Sequence, residues 1–284
     1  MISINKICSV TGFILILSSA SCALINPAEV IPAYLQVDTV NFNAGPGQGS
    51  SSQRITDVWV DANYTSEGVY EIPKTFPLLN NGNTSIIINA GIWDNGISET
   101  RAIYPFYYPD TMSVSLNPGK IYSITPQFTY SPGTKFPLIE DFEAGNVFDK
   151  ISGDTNMIRT NDLLNKLEGN YSGYIFLNKD HSIYEGRTTA GYILPKDKPV
   201  YLEMNYKCNQ MFQIGLYGSA SLGTTFLYKW NINPRSEWNK IYLNMGNDIA
   251  NLSSDSYQIL IRAVYDSSST ESRIYLDNIK LVNF

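Results

Sequence analysis

The chain has 284 residues, room for about two domains at the usual ~100–200 residues each. Hydrophobic residues make up 43% of it and charged residues 16%, which supports a packed core and argues against wholesale disorder. Twenty basic against 26 acidic residues leave a net charge of −6 with no basic block, a poor balance for binding nucleic acid, and one histidine with three cysteines excludes His-rich metal centres, Cys-cluster zinc sites and Fe–S clusters.

Residues 1–22 read as an export signal. Lys6 supplies a short positive region, residues 7–17 form an apolar run too short to span a bilayer, and Ser18, Ser19, Ala20 and Ser21 precede Cys22. This resembles a bacterial lipoprotein signal, which implies removal of residues 1–21 and lipidation of Cys22, with palmitate among the acyl groups. Ser19 stands where leucine is typical, and cleavage after Ala23 by the ordinary signal peptidase is the rival reading. With Cys8 removed and Cys22 lipidated, only Cys208 remains, so no intrachain disulfide is expected and Cys208 reads as a reduced, partly buried thiol. The implied address is the bacterial cell envelope, lipid-anchored at the outer membrane. The residues after Cys22 carry no acidic cluster, and surface and periplasmic faces both stay open.

Residues 22–30 look like a tether. From Ile31 onward, abundant Tyr, Gly and Pro and short alternating runs predict an all-β chain. Residues 55–60 form a strand, followed by a turn composition at Asp61, Ala62 and Asn63. Residues 80–83 separate runs 75–79 and 84–92 in a hairpin-like arrangement. Met112, Val114 and Leu116 alternate with Ser113 and Ser115, as in a half-buried strand. Pro and Gly crowd residues 131–137, which read as the linker between a first domain, 31–130, and a second, 138–284. In the second, Val200, Leu202, Met204 and Tyr206 face one way, and Tyr201, Glu203, Asn205 and Lys207 the other. Phe212, Ile214 and Leu216 oppose Gln213 and Tyr217, and Ile274 and Leu276 oppose Arg273, Tyr275 and Asp277. The one helix expected lies at residues 160–167.

The stretch 58–92 resembles the PEGA-type β-sandwich module of bacterial envelope proteins through Val58, Val60, Asp61, Gly68, Pro73, Gly82, the run from Ile86 to Ile88, and Gly91. That likeness implies an immunoglobulin-like or prealbumin-like domain used for attachment or presentation. The second region resembles the jelly-roll of carbohydrate-binding modules. It opens with Glu140, Asp141, Phe142 and Glu143, places Trp238 before a late strand and closes with Tyr275, Asp277 and Ile279 in a Tyr-x-Asp-x-Ile pattern. The fold class expected is therefore two β-sandwich domains, and the whole resembles a Bacteroidetes-like envelope lipoprotein.

Nucleophilic catalysis finds no support. There is no G-x-S-x-G elbow, and Asp180, His181 and Ser182 are adjacent, so their side chains diverge. Glu140, Glu143 and Asp277 would come together if the first and last strands of the second domain pair. The jelly-roll likeness implies a structural Ca²⁺ there, the alternative being a solvated acidic edge. The remaining signal is aromatic. Tyr201, Glu203, Asn205, Gln213, Tyr217 and Arg262 form a candidate glycan-binding face, provided the strands carrying Tyr201 and Tyr217 are neighbours. Trp230 and Trp238 read as core or rim packing. The function expected is a non-catalytic envelope lipoprotein that binds a glycan through its second domain. The alternatives are a structural or adhesin-type subunit binding protein partners in an outer-membrane assembly, and a glycan-degrading hydrolase or lyase.

Overall fold

The computed structural model describes residues 29–221 and 223–284. Cys22 and the export signal lie outside the described residues. The N-terminal part holds β1 (Ala33–Val37), β2 (Asn41–Asn43), β3 (Asp57–Ala62), β4 (Thr65–Glu71), β5 (Lys74–Leu78), β6 (Gly82–Trp93), β7 (Arg101–Ile103), β8 (Tyr107–Tyr108), β9 (Asp110–Leu116), β10 (Ile121–Ile124) and β11 (Gln127–Tyr130). They form three small sheets, in the orders β10-β1-β5, β2-β11-β8 and β4-β3-β6-β7, with β9 also paired to β6. The turn between β3 and β4 consists of Asn63 and Tyr64, both at positive φ, the conformation that matches the right-handed twist of a tight hairpin.

β5 and β6 are not a hairpin, contrary to the pattern around residues 80–83. β5 pairs with β1, whereas β6 pairs with β3, β7 and β9. Phe76 and Leu78 on β5, and Ile86, Ile88 and Ala90 on β6, all enter one hydrophobic cluster. The two strands serve that cluster from different sheets, so the chain crosses between layers at Asn80–Gly82 instead of folding back.

The C-terminal part holds β12 (Lys135–Glu140), β13 (Phe148–Gly153), β14 (Met157–Thr160), β15 (Ser172–Leu177), β16 (Ile183–Thr188), β17 (Val200–Cys208), β18 (Phe212–Ala220), β19 (Gly223–Ile232), β20 (Arg235–Asn244), α1 (Gly246–Leu252), β21 (Ser256–Val264) and β22 (Ser272–Asn283). One sheet runs β14-β15-β22-β17-β20, with β12 alongside β22, and the other runs β13-β16-β21-β18-β19. The first strand does pair with the last, with Leu138 opposite Leu281 and Glu140 opposite Ile279. β12 begins at Lys135, inside the segment read as a linker. The described residues are nearly all β and sandwich-like. Val200, Leu202, Met204 and Tyr206 face Phe212, Ile214, Leu216, Ile259 and Ile261 in one core between the two sheets.

Among the described residues the helix stands at α1, not at residues 160–167, where only a turn occurs at Leu163–Asn165. Met245, Ile249 and Leu252 are spaced four and three residues apart, which puts them on one helical face, and all three pack on the core.

The lobes are joined by a shared core. Tyr201, Tyr242 and Val282, from the outward side of the six-stranded sheet, belong to the hydrophobic cluster of the N-terminal lobe. That lobe covers this side of the sheet and leaves the outer side of the five-stranded sheet open.

Candidate functional site

β17 and β18 lie in different sheets, so the proposed glycan-binding set divides in two. Tyr201, Glu203 and Asn205 do share a face, as strand alternation requires, but the N-terminal lobe buries it: none is more than 4% exposed. They are corrected here from ligand contacts to interlobe structure. Glu203 lies between Lys280 on β22 and Tyr242 on β20. Its Oε1 accepts from the hydroxyls of Tyr104 (2.8 Å) and Tyr130 (2.9 Å), and Lys240 Nζ lies 2.8 Å from its Oε2. Lys280 Nζ donates to the Tyr130 hydroxyl at 3.1 Å and to the Ser50 carbonyl at 2.5 Å. Burial works to raise the Glu203 pKa, but Lys240 and Lys280 outweigh it and hold the carboxyl below its ordinary value. The Tyr107 and Tyr242 hydroxyls meet at 3.0 Å, and Asn244 Nδ2 donates to the Tyr201 hydroxyl at 2.9 Å. Most of these polar groups serve one another, while Asn205 Oδ1 on the same face is buried without a hydrogen-bond partner among the described residues.

Gln213, Tyr217 and Arg262 lie on the other sheet and do come together. Gln213 on β18 is opposite Arg262 on β21, and Tyr217 is opposite Phe226 on β19. The Arg187 guanidinium, from β16, sits 4.3 Å from the centre of the Tyr217 ring, and Phe226 meets the same ring edge-on at 4.8 Å. Hydrogen bonding from Arg187, then Thr224, holds the Tyr217 phenol below its ordinary pKa. Tyr228 reaches across the sheet to hydrogen-bond Glu185, with Arg262 5.7 Å from its ring centre. Burial, then the hydrogen bond to Glu185 and the charge it carries, pushes the Tyr228 phenol well up. Gly215 permits this crossing, because a Cβ there would lie 2.9 Å from Tyr228 Cδ1. Gln213 Nε2 donates to Asn231 Oδ1 at 2.9 Å, and beyond it a cleft of about 630 Å³ opens between Gln213, Arg262 and residues 264–269.

Arg187, Phe226, Tyr228 and Glu185 are the members that sequence reasoning missed. The signal was present as spacing: Phe226 and Tyr228 are two apart within one strand, as are Glu185 and Arg187, so each pair shares a face. The arrangement is an open sheet surface with two phenol rings and a phenyl ring, steered by two guanidinium groups and edged with amides. Such a surface can stack against a flat ligand and hydrogen-bond its hydroxyls.

No protein-family model and no curated protein matches the chain. Among solved structures it is similar to carbohydrate-binding modules. One is the family 11 module of a cellulosomal cellulase of Clostridium thermocellum, at 13% identity and a TM-score of 0.39, covering 53% of this chain and 95% of that one. A family 29 module variant complexed with cellulohexaose matches at 12% identity and a TM-score of 0.37, over 54% of this chain and 93% of the module. A family 61 module in complex with β-1,4-galactotriose matches at 12% identity and a TM-score of 0.34, over 50% and 92%.

The candidate calcium ligands do not converge, although their strands pair. Glu140 accepts the backbone N–H groups of Phe142 (2.6 Å) and Val147 (2.7 Å). Glu143 accepts those of Asn170 (2.6 Å) and Tyr171 (2.8 Å). Asp277 accepts the Ser172 hydroxyl and the Asn278 N–H, both at 2.8 Å. Each carboxylate closes its own stretch of chain. Among the described residues, no group of three His, Cys, Asp or Glu side chains is placed to hold a metal ion. Asp180, His181 and Ser182 likewise diverge. Asp180 pairs with Lys179, Ser182 donates to Asp154, and His181 Nδ1 lies 3.2 Å from the Asp154 carbonyl. Cys208 is a free, buried thiol, and burial pushes its pKa up to about 11.

Proposed function

We propose that the protein is a non-catalytic glycan-binding protein whose ligand lies on the outer face of the β13-β16-β21-β18-β19 sheet. The observation that carries this reading is the Tyr217 ring, half-buried and held between Arg187 and Phe226 on an uncovered sheet face. A ring fixed in that way offers its surface to a sugar at small cost in side-chain entropy. Gln213, Asn231 and Arg262 supply donors and acceptors beside it. The N-terminal lobe, packed on the opposite sheet, serves as a rigid base that presents this face. The sequence of residues 1–22 supports attachment to the cell envelope through lipid on Cys22.

A glycan array probed with the full chain tests the binding reading. Neutral oligosaccharides should be retained, and Tyr217→Ala should abolish retention with a stability change within about 0.5 kcal/mol, since the ring lies outside the core. Retention unchanged in Tyr217→Ala and Arg187→Ala would remove this face as the site. Labelled palmitate incorporated by the parent and not by Cys22→Ser tests the anchor.

A further inference from the structure

The six-stranded sheet is not covered along its whole outer side. Beyond the N-terminal lobe, four strands carry one row of residues in register: Ile158 on β14, Tyr174 on β15, Tyr275 on β22 and Lys207 on β17. Tyr174 and Tyr275 stack at 4.9 Å with their planes 15° apart. Next to them a pocket of about 370 Å³ is lined by Lys207, Cys208, Pro234, Arg235, Arg273 and Tyr275, among others. Its wall is apolar along Tyr275 and Pro234. Its rim is cationic.

The charge on that rim is not internally neutralised. Arg273 is paired with Glu271 at the surface. Among the described residues, neither Lys207 nor Arg235 has a carboxylate at ion-pair distance; the Lys207 ammonium reaches only the Leu164 carbonyl, at 3.4 Å. Asp162 is close enough for Lys207 to lower its pKa, but its hydrogen bonds go to its own loop, to Leu164 and Asn165. Arg54 adds to the excess: burial, and then repulsion from Arg235, pushes its pKa below the ordinary value. The pocket's own cations are Lys207, Arg235 and Arg273; Glu271 pairs with Arg273 and Asp162 lies near Lys207, which leaves Arg235 without a carboxylate partner and open to an anion from outside.

We propose that this pocket binds the carboxylate-bearing unit of an acidic saccharide, a hexuronate. The ring packs on the Tyr275 wall, and the carboxylate is shared by Arg235 and Lys207. A small inorganic anion would satisfy the charge and leave the apolar wall wet, whereas a neutral sugar would do the reverse. Lys207 and Tyr275 belong to the other sheet from Tyr217, and the proposal does not depend on the reading of that face.

Calorimetric titration of the full chain with a galacturonate trisaccharide, its uncharged galactose counterpart and inorganic phosphate tests the assignment. The acidic trisaccharide should bind with an affinity that falls as salt is raised. The Lys207→Met/Arg235→Gln double variant should weaken it roughly tenfold or more, and Tyr217→Ala should leave it unchanged. Both altered side chains lie at the surface, so the melting temperature should hold; if it drops, Arg235→Gln alone must show the same selective loss. Four results would each overturn the proposal. They are no binding of the acidic trisaccharide, equal affinity for the charged and uncharged forms, full affinity in the cation variants, and displacement by phosphate at the same concentration as by the trisaccharide. Loss of acidic binding in Tyr217→Ala would transfer it to the other face.

Discussion

Asp277 is a carboxyl placed where charge is costly. Burial pushes its pKa up to about 7, against the Ser172 hydroxyl and the Asn278 N–H, which favour the anion. In the unfolded chain an aspartate ionises near ~4. Between those values the unfolded chain gives up its proton and the folded chain keeps it, so stability falls as pH rises from about 4 to about 7 and then levels off. Asp277→Asn should abolish that slope. Its urea midpoint relative to the parent should therefore be higher at about pH 8 than at about pH 5, and a pH-independent difference would show that Asp277 is not the group responsible. Glu203 is the opposite case, a buried anion among partners. Glu203→Gln leaves Lys240 and Lys280 without their counter-charge and should cost about 3–5 kcal/mol in denaturant melts. Glu203 was legible as an outward-facing residue from alternation alone. That its outward side meets a second lobe was not legible, because period-two alternation gives sidedness and says nothing of what covers each side.

At the scale of elements the same distinction holds. Core-facing runs such as Val200, Leu202 and Met204 were readable because burial on one side imposes the alternation. Apart from the pairing of β12 with β22, strand neighbours were not readable, and this divided Tyr201 from Tyr217 and turned the supposed β5–β6 hairpin into a crossover. Partnership is set by long-range pairing that local spacing does not encode. α1 left a readable trace in Met245, Ile249 and Leu252, which sits within a chain dominated by strands. Gln213 and Tyr217 were legible on one sheet face because they alternate with core residues, whereas the pairing of Arg262 with Gln213 is seen only in the structure. Gly215 links this element to its function. A Cβ there would lie 2.4 Å from the Leu227 carbonyl and would press on Tyr228. Gly215→Ala should destabilise the fold by about 1–3 kcal/mol and move Tyr228 off Glu185, which the tyrosine ring signals in an NMR spectrum would report. Unchanged Tyr228 signals would mean that β19 yields without cost.

For the whole molecule the decisive feature is the shared core. The segment 131–137 has a linker's composition, and few contacts would be expected across it. Yet Tyr201, Tyr242 and Val282 complete the N-terminal cluster, and the Glu203 network spans both lobes. A piece cut at residue 138 would expose that buried surface together with two lysines and a glutamate. The full chain should unfold in one calorimetric transition, and the piece alone should melt at lower temperature or aggregate. Two separate transitions in the full chain would show that the lobes are independently stable.

β22 has a consequence for how the protein is made. The ribosome delivers β12 early in the second lobe, but its partner residues, from Ile279 to Asn283, arrive only with the last strand described. β15 and β17 wait for the same strand, and Val282 brings the final side chain of the interlobe cluster. Contacts so far apart in sequence close late and slowly. During synthesis the tyrosine-lined surface of the first lobe therefore stays incompletely covered until β22 has emerged, so the nascent chain is at its most vulnerable to wrong partners just before its sheet is closed.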